Sequence, residues 1–420
     1  MPPVFTRYQK FVVAVLAFLQ FTIILDFMIL SPLGAFLLRD LHITTRQFGL
    51  VVSAYAFSAG ASGLLAAGFA DKFDRKRLLL FFYGGFLLGT LLCAVADTYT
   101  FLLGARIVTG VFGGVIGSIS MAIIADLFPL EVRGRVMGTI QTSFAASQVM
   151  GLPLGVFLSN HWGWHAPFVM ILAVGIPVGL LIGARLQPIV EHLKVPSTRD
   201  PVQHLLATVS QGRYLRTFLA TTMLATGGFM LMPFGSTFTV NNLGIPLAKL
   251  PLIYVSTGAV TLVAGPLLGK LADTIGKYKV FVIGSLVGAV LVAFFCNLGL
   301  TPLGTVLVLN AILFVAITSR MISASALISA VPDMSDRGAF MAVNASLQQF
   351  SGGLASFVAG LIVVQAADGR LLRYPILGYV VMSAMTVVIA LMYPIHRAVM
   401  RKAAGSAGSA KPAPAVVAAE

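Results

Sequence analysis

Three ionisable side chains stand inside long apolar runs, where a charge costs about 3 kcal/mol or more unless it has a partner or a task. They are Asp26 in Leu25-Asp26-Phe27-Met28-Ile29-Leu30-Ser31-Pro32, Arg106, and Arg320 in Ile317-Thr318-Ser319-Arg320-Met321-Ile322-Ser323. A carboxyl group held away from water has its charged form disfavoured, so Asp26 is the candidate proton carrier. Arginine keeps its charge under any reachable condition; it can grip a carboxylate or phosphate but cannot shuttle the proton. A switch in which Arg320 pairs with Asp26 or with an anionic substrate fits these chemistries. The alternatives are a fixed ion pair for Asp26, a packing role against helix carbonyls for Arg106, and a lone structural arginine for Arg320.

Further polar residues in apolar runs are candidates for the wall of a substrate cavity: Gln20, Tyr55, Gln141, Gln148, Asn310, Asn344 and Gln348. Gln141 and Gln148 are seven apart and Asn344 and Gln348 four apart, so each pair shares one helix face. Phe57, Phe229, Phe234 and Tyr254 could supply apolar wall, although packing is the more economical role for any one phenylalanine. Met223, Met230 and Met232 raise a soft-metal route, but no MxxxM pair occurs there and flexible packing is the better account. Neither a metal nor a cofactor is expected.

The elements that must position these groups follow from composition. Hydrophobic residues make up 58% of the chain and charged residues 10%, with a mean hydropathy of +0.95; no water-soluble surface of this size is so apolar, and the chain is expected to be an integral membrane protein. Apolar runs of about 20 residues each cross a bilayer core. Twelve are present, at 10–31, 46–70, 78–96, 99–126, 136–160, 166–185, 214–239, 249–272, 279–298, 302–330, 338–365 and 373–395. The first is too long for a signal peptide and ends without a small-residue cleavage site. Cys93 and Cys296 lie within apolar runs with no metal-ligand spacing. No phosphate loop or catalytic triad is visible, which argues against an enzyme and against ATP-driven transport.

The chain repeats itself. Asp71-Lys72-Phe73-Asp74-Arg75-Lys76-Arg77 returns within Gly269 to Lys279, with Asp71 matching Asp273 and Arg75 matching Lys277 at an offset of 202. Arg133-Gly134 answers to Arg337-Gly338 at 204, and Pro32-Leu33-Gly34 to Pro233-Phe234-Gly235 at 201. Ordered matches at nearly constant offset imply two halves of like topology. These offsets set Asp26 against Gly227, Arg106 against Asn310 and Arg320 against Ile116 and Gly117, so no charge is shared scaffold. The expected fold is all-α, twelve transmembrane helices in two pseudo-symmetric six-helix bundles: 1–185, a linker at 186–213, 214–396, and a disordered tail at 397–420.

The net charge of +14 sits in short clusters between apolar runs, unlike a nucleic-acid face. With the N-terminus inside, 21 of 28 Lys and Arg lie on one side, five on the other and two within the membrane. The positive-inside rule then places both termini in the cytoplasm. On that rim Asp71, Arg75, Asp126 and Arg133, with Asp273, Lys277 and Arg337 in the second half, could latch the halves together in one state and release them in the other. Plain topology is the alternative, and suffices for Lys72, Lys76 and Lys194.

The segment GKLADTIGKYK at 269–279 fits the loop motif G-x-L-A-D-x-x-G-[RK]-x-[RK], and with the two-half design resembles the major facilitator superfamily. In the first copy Ala67 and Asp74 stand where the motif has glycines. Arg106 with Gly110 and Gly113 is similar to the helix-4 R-x-x-x-G motif of that family, which implies a place for Arg106 in the central cavity near the proton site. Gly151-Leu152-Pro153-Leu154-Gly155 followed by Trp162 to Phe168 resembles the drug/proton and sugar-efflux branch, with His165 in place of an arginine. The resemblance implies a proton-coupled antiporter in a bacterial-type inner membrane, monomeric, exporting a small amphipathic, drug-like or sugar-like compound. The alternatives are movement of an organic or lipid anion clamped by Arg320, or a non-transporting membrane sensor or assembly partner.

Overall fold

Helix starts follow local chemistry. Thr6 and Gln9 form a reciprocal capping box, each side chain taking the other's backbone N–H (3.1 and 3.0 Å), and α1 runs from there over Arg7–Asp40. The computed structural model describes residues 5–69, 72–194, 207–333 and 336–409. The first half continues with α2 (Thr45–Phe69), α3 (Arg75–Ala94), α4 (Tyr99–Leu127), α5 (Leu130–Ala146), a π-helical turn at Ser147–Gly151, α6 (Leu152–Trp162) and α7 (Ala166–Arg185). The second has α8 (Gly212–Phe229), a 3₁₀ turn at Met232–Phe234, α9 (Gly235–Asn241), α10 (Leu250–Ile275), α11 (Lys277–Cys296), α12 (Leu303–Ser329), α13 (Arg337–Ile362) and α14 (Tyr374–Ser409). With α5–α6 and α8–α9 each forming one broken span, this makes twelve transmembrane helices. Among the described residues eleven stretches are apolar enough by composition to cross a bilayer. The twelfth, α13, carries Asn344, Ser346, Gln348, Gln349 and Ser351, so its hydropathy is lower.

The same pairings recur in each half: α2–α4, α3–α4, α1–α5 and α3–α7 are answered by α10–α12, α11–α12, α8–α13 and α11–α14. The halves meet along α2–α13, along α10 against α6 and its π turn, and where α1 meets α9. Small residues permit these approaches. A Cβ on Gly49 would lie 2.8 Å from the Ser356 carbonyl oxygen, and one on Gly360 2.8 Å from that of Thr45.

Three expectations need correction. Pro32 does not end the first helix; α1 runs through it to Asp40, because a proline removes one donor without preventing continuation where neighbouring helices support the chain. The eleventh run stops at Ile362, and Val364–Gln365 pairs antiparallel with Leu371–Leu372 around Gly369, whose φ is +84°. The 397–420 tail is helical as far as Ser409, since Lys402 docks α14 on the carbonyl oxygens of Val331 and Pro332 (3.3 and 3.0 Å); residues 410–420 lie outside the described residues. The linker begins as part of the first half: Leu186 and Ile189 are buried, and Ile189 N–H donates to Asp74 (2.9 Å).

Candidate functional site

Asp26 and Arg106 are both fully buried and bonded to each other, Arg106 donating to the carboxylate at 2.6 Å. Thr90 of α3 donates to the second carboxylate oxygen at 3.3 Å. The Tyr55 ring of α2 lies under the guanidinium, whose carbon is 4.5 Å from the ring centroid, a cation–π contact between buried groups. Four helices therefore converge on one ion pair. They can do so because Gly110 leaves room: a Cβ there would strike Ser58 Oγ and sit 2.5 Å from the Tyr55 carbonyl oxygen. One donor, Arg106 Nε, has no partner.

At the seam between the halves lies a cavity of about 400 Å³. Only Met28, Ser31, Pro32, Phe144, Gln148 and Leu152 come from the first half; the second supplies the rest, including Asn310, Arg320, Asn344 and Gln348. One end is sealed by hydrogen bonds across the seam. Ser31 Oγ donates to the Met232 carbonyl, Ser236 Oγ to that of Ser31 (2.7 Å), Thr45 Oγ1 to that of Val363 (2.6 Å) and Asn160 to that of Leu247 (3.3 Å). Ser31 and Met232 are equivalent positions of the repeat, so the pseudo-twofold axis passes near this contact. All four bonds lie away from the basic loops. The cavity extends toward the basic end as far as Ile328 and Met341.

The kink that brings Gln148 to the cavity has a local cause. Pro153 has no N–H, and the turn before it widens to π-helix over Ser147–Gly151. Ser147 Oγ donates to the Phe21 carbonyl (3.1 Å) and Ser143 Oγ to that of Ala17 (2.7 Å), tying this bend to α1.

The candidate residues thus divide. Gln148, Asn310, Arg320, Asn344 and Gln348 line the cavity, with Asn344 accepting from Thr221 at 2.6 Å. Tyr55 does not; its ring serves Arg106 instead. Gln20 also stands off the wall, near Gly117 of α4. Asp26 and Arg106 face the interior of the first bundle, and the direct pairing of Arg320 with Asp26 is absent because Arg106 occupies the carboxylate. The side chain of Gln141 lies outside the described residues.

At the basic end Arg75 donates to Asp126 at 3.2 Å, and Arg133 to the carbonyls of Phe128 (2.9 Å) and Ala125 (2.6 Å). Lys277 and Asp273 stand 3.9 Å apart on the surface. Each of these contacts stays within its own half. Asp71 and the Arg337 side chain lie outside the described residues. Missed in the sequence was the second half's own cluster: Arg213 donates to Asp333 (2.5 Å) and Asp336 (2.9 Å), Tyr214 to Asp336 (2.9 Å), and Lys402 pairs with Asp333 (2.8 Å). The Arg337-Gly338 repeat beside it was the one available signal. His165, set where the resemblance has an arginine, bonds the Ala96 carbonyl through Nε2 (2.9 Å).

Comparison with known proteins agrees with this geometry. The profile of the Major Facilitator Superfamily matches residues 16–356 and 217–418. The MFS-type transporter YceJ of Bacillus subtilis (strain 168) is 28% identical over 291 residues, 68% of this chain and 73% of its own. Multidrug resistance protein 3 of the same organism is 33% identical over 135 residues, covering 32% of this chain and 26% of its own. A bacterial homologue of the human lysosomal transporter Spinster, in an inward-facing and unoccupied conformation, superposes with a TM-score of 0.69 at 15% identity, over 98% of this chain and all of the other. A point mutant of the nucleoside transporter NupG gives 0.72 at 17% identity, over 91% and 98%. The chain belongs to the Major Facilitator Superfamily. It is a multi-pass membrane transporter and not an enzyme.

Proposed function

We propose that this chain is a proton-coupled antiporter that exports small amphipathic compounds across a bacterial inner membrane, as a monomer with the basic loops and both termini in the cytoplasm. The charge asymmetry of the loops supports the orientation, and the match to a multidrug resistance protein supports export. The halves 1–185 and 214–396 then rock about the seam, with 186–213 as their joint. On this reading the cavity, which extends toward the basic end, faces the cytoplasm. In the opposite state the rim groups Asp71, Arg75, Asp126, Arg133, Asp273, Lys277 and Arg337 would close the basic end.

The observation that carries this reading is the buried ion pair in the first bundle, together with a largely apolar cavity at the seam. Protonation of Asp26 neutralises the partner that holds Arg106, and α1, α3 and α4 lose the charge that fixes their packing. That is a two-state element through which a proton gradient biases the halves. Substrate taken from the cytoplasmic side leaves when a proton arrives from outside.

Reconstituted protein should move protons, read by an internal pH dye, only when substrate is supplied. Asp26→Asn should abolish gradient-driven transport while substrate binding persists. Unchanged gradient-driven accumulation in that variant makes Asp26 structural and ends the coupling proposal.

A further inference from the structure

Arg320 is the only charged side chain on the cavity wall among the described residues, and no Asp or Glu lines that wall. Its residue is 3% exposed. From behind, Ser285 of α11 accepts from Nε at 3.0 Å and the Phe281 ring lies 5.9 Å from the guanidinium carbon. Those contacts aim the group without neutralising it. One terminal nitrogen, NH2, is buried with no hydrogen-bond partner, and so is the hydroxyl of Ser323, one turn along the same helix. A purely structural arginine would be expected to satisfy its donors, as buried charges ordinarily are. This one keeps a terminal donor in reserve.

We infer that Arg320 is the subsite for the acidic group of the transported compound, and that the substrate class is the amphipathic organic monoanion: a carboxylate or sulfonate on an apolar ring or chain. The inference rests on the transport reading above and narrows it. A planar guanidinium pairs with such a group through two parallel N–H bonds. The remainder of the molecule meets Leu313, Phe314, Ile317 and Met321, which line the same cavity. One cation suits one negative charge, so a dianion is left half compensated. Organic cations meet no carboxylate here, only a like charge in a low-dielectric setting, and are disfavoured. Because arginine does not titrate, this subsite is separate from the proton site: the first half handles the proton and the second the anion.

The test uses two probes that differ by one charged group, 8-anilinonaphthalene-1-sulfonate and uncharged N-phenyl-1-naphthylamine. Binding is measured on the full chain in nanodiscs of neutral lipid, with empty nanodiscs subtracted. The wild-type chain should prefer the sulfonate by about tenfold or more, the size of a charge-assisted hydrogen bond to a buried partner. Arg320→Gln should remove that preference and leave the neutral probe's affinity unchanged, which also reports that the variant is folded. Arg320→Lys, retaining charge without the fork, should fall between, and Ser285→Ala should weaken sulfonate binding by a smaller factor. Equal affinity of the wild-type chain for both probes overturns the anion subsite whether or not Arg320→Gln folds, as does a preference that survives that change. Anion preference without gradient-driven transport leaves the subsite standing and overturns only the coupling; binding of neither probe by the wild-type chain overturns the substrate class.

Discussion

Arg106 and Arg320 sit on equivalent helices of the two halves, α4 and α12, and their surroundings are opposite. Arg106 is bonded to Asp26, covered by Tyr55 and shut off from the cavity. Arg320 is braced by a serine hydroxyl, has no acid paired with it among the described residues and opens on the cavity. The two halves share their helix pairings yet not their charges. A repeat supplies the frame on which each half specialises: an internally compensated pair can respond to a proton, whereas an uncompensated cation can respond to a ligand.

The most forceful way to break this contrast is to remove each arginine in turn. Arg106→Met leaves a buried carboxylate without its cation and should destabilise the protein by about 3–5 kcal/mol, the usual cost of breaking a buried pair. Arg320→Met removes a cation that no acid compensates; only the Ser285 bond and a distant Phe281 ring contact are lost, and the melting temperature should hold or rise. Thermal unfolding of both variants in one detergent decides it, and equal losses would erase the distinction between the two sites.

A smaller contrast lies at the repeated loop. Gly276, preceding α11, has φ +101°, whereas its counterpart Asp74 has φ −56° and caps α3 by accepting from Lys76 N–H at 3.0 Å. The glycine position needs a conformation that side chains resist; the aspartate position does not. Gly276→Ala should therefore cost about 1–3 kcal/mol, whereas Asp74→Asn, which keeps an acceptor for the Lys76 and Ile189 N–H groups, should cost about 0.5 kcal/mol or less, both read from denaturation midpoints. Greater tolerance of Gly276→Ala than of Asp74→Asn would contradict this account.

The sequence made the helices and the repeat legible because apolar runs between charged loops have few other solutions in a bilayer. It also singled out the three intramembrane charges. It could not pair them: Asp26 and Arg106 lie 80 residues apart, and either arginine could have met the carboxylate. Tyr55 was misplaced because an aromatic at a polar helix face serves a cavity or a guanidinium equally well. Ser285, which aims Arg320, carried no signal, since a serine inside an apolar run is ordinary. The predicted end of the first helix at Ser31 failed because a proline in a membrane helix weakens one hydrogen bond rather than setting a boundary. Nor could the cavity's one-sidedness be read, because it depends on how the halves lean, not on what each contains.

The subtlest contrast is between the two corners at the basic end. In the first half Arg75 and Asp126 have side chains 5% and 19% exposed; in the second Arg213 and Asp333 are 53% and 45% exposed. Hydrogen bonds from Lys402 and then Arg213 hold the Asp333 carboxyl below the usual carboxylate range. A group depressed in the folded state contributes stability fully above the unfolded value of about 4, and loses it as the pH falls through the folded value. Exposure and salt screening keep that contribution small. Asp333→Asn should therefore lower the melting temperature slightly at neutral pH and low salt. The difference from the wild-type chain should shrink as the solution is acidified below about pH 4, and again at about 1 M salt, where charges are screened beyond about 3 Å. A difference that grew on acidification would mean that Lys402 is not held to this corner by charge, and that α14 docks there through its carbonyl contacts alone.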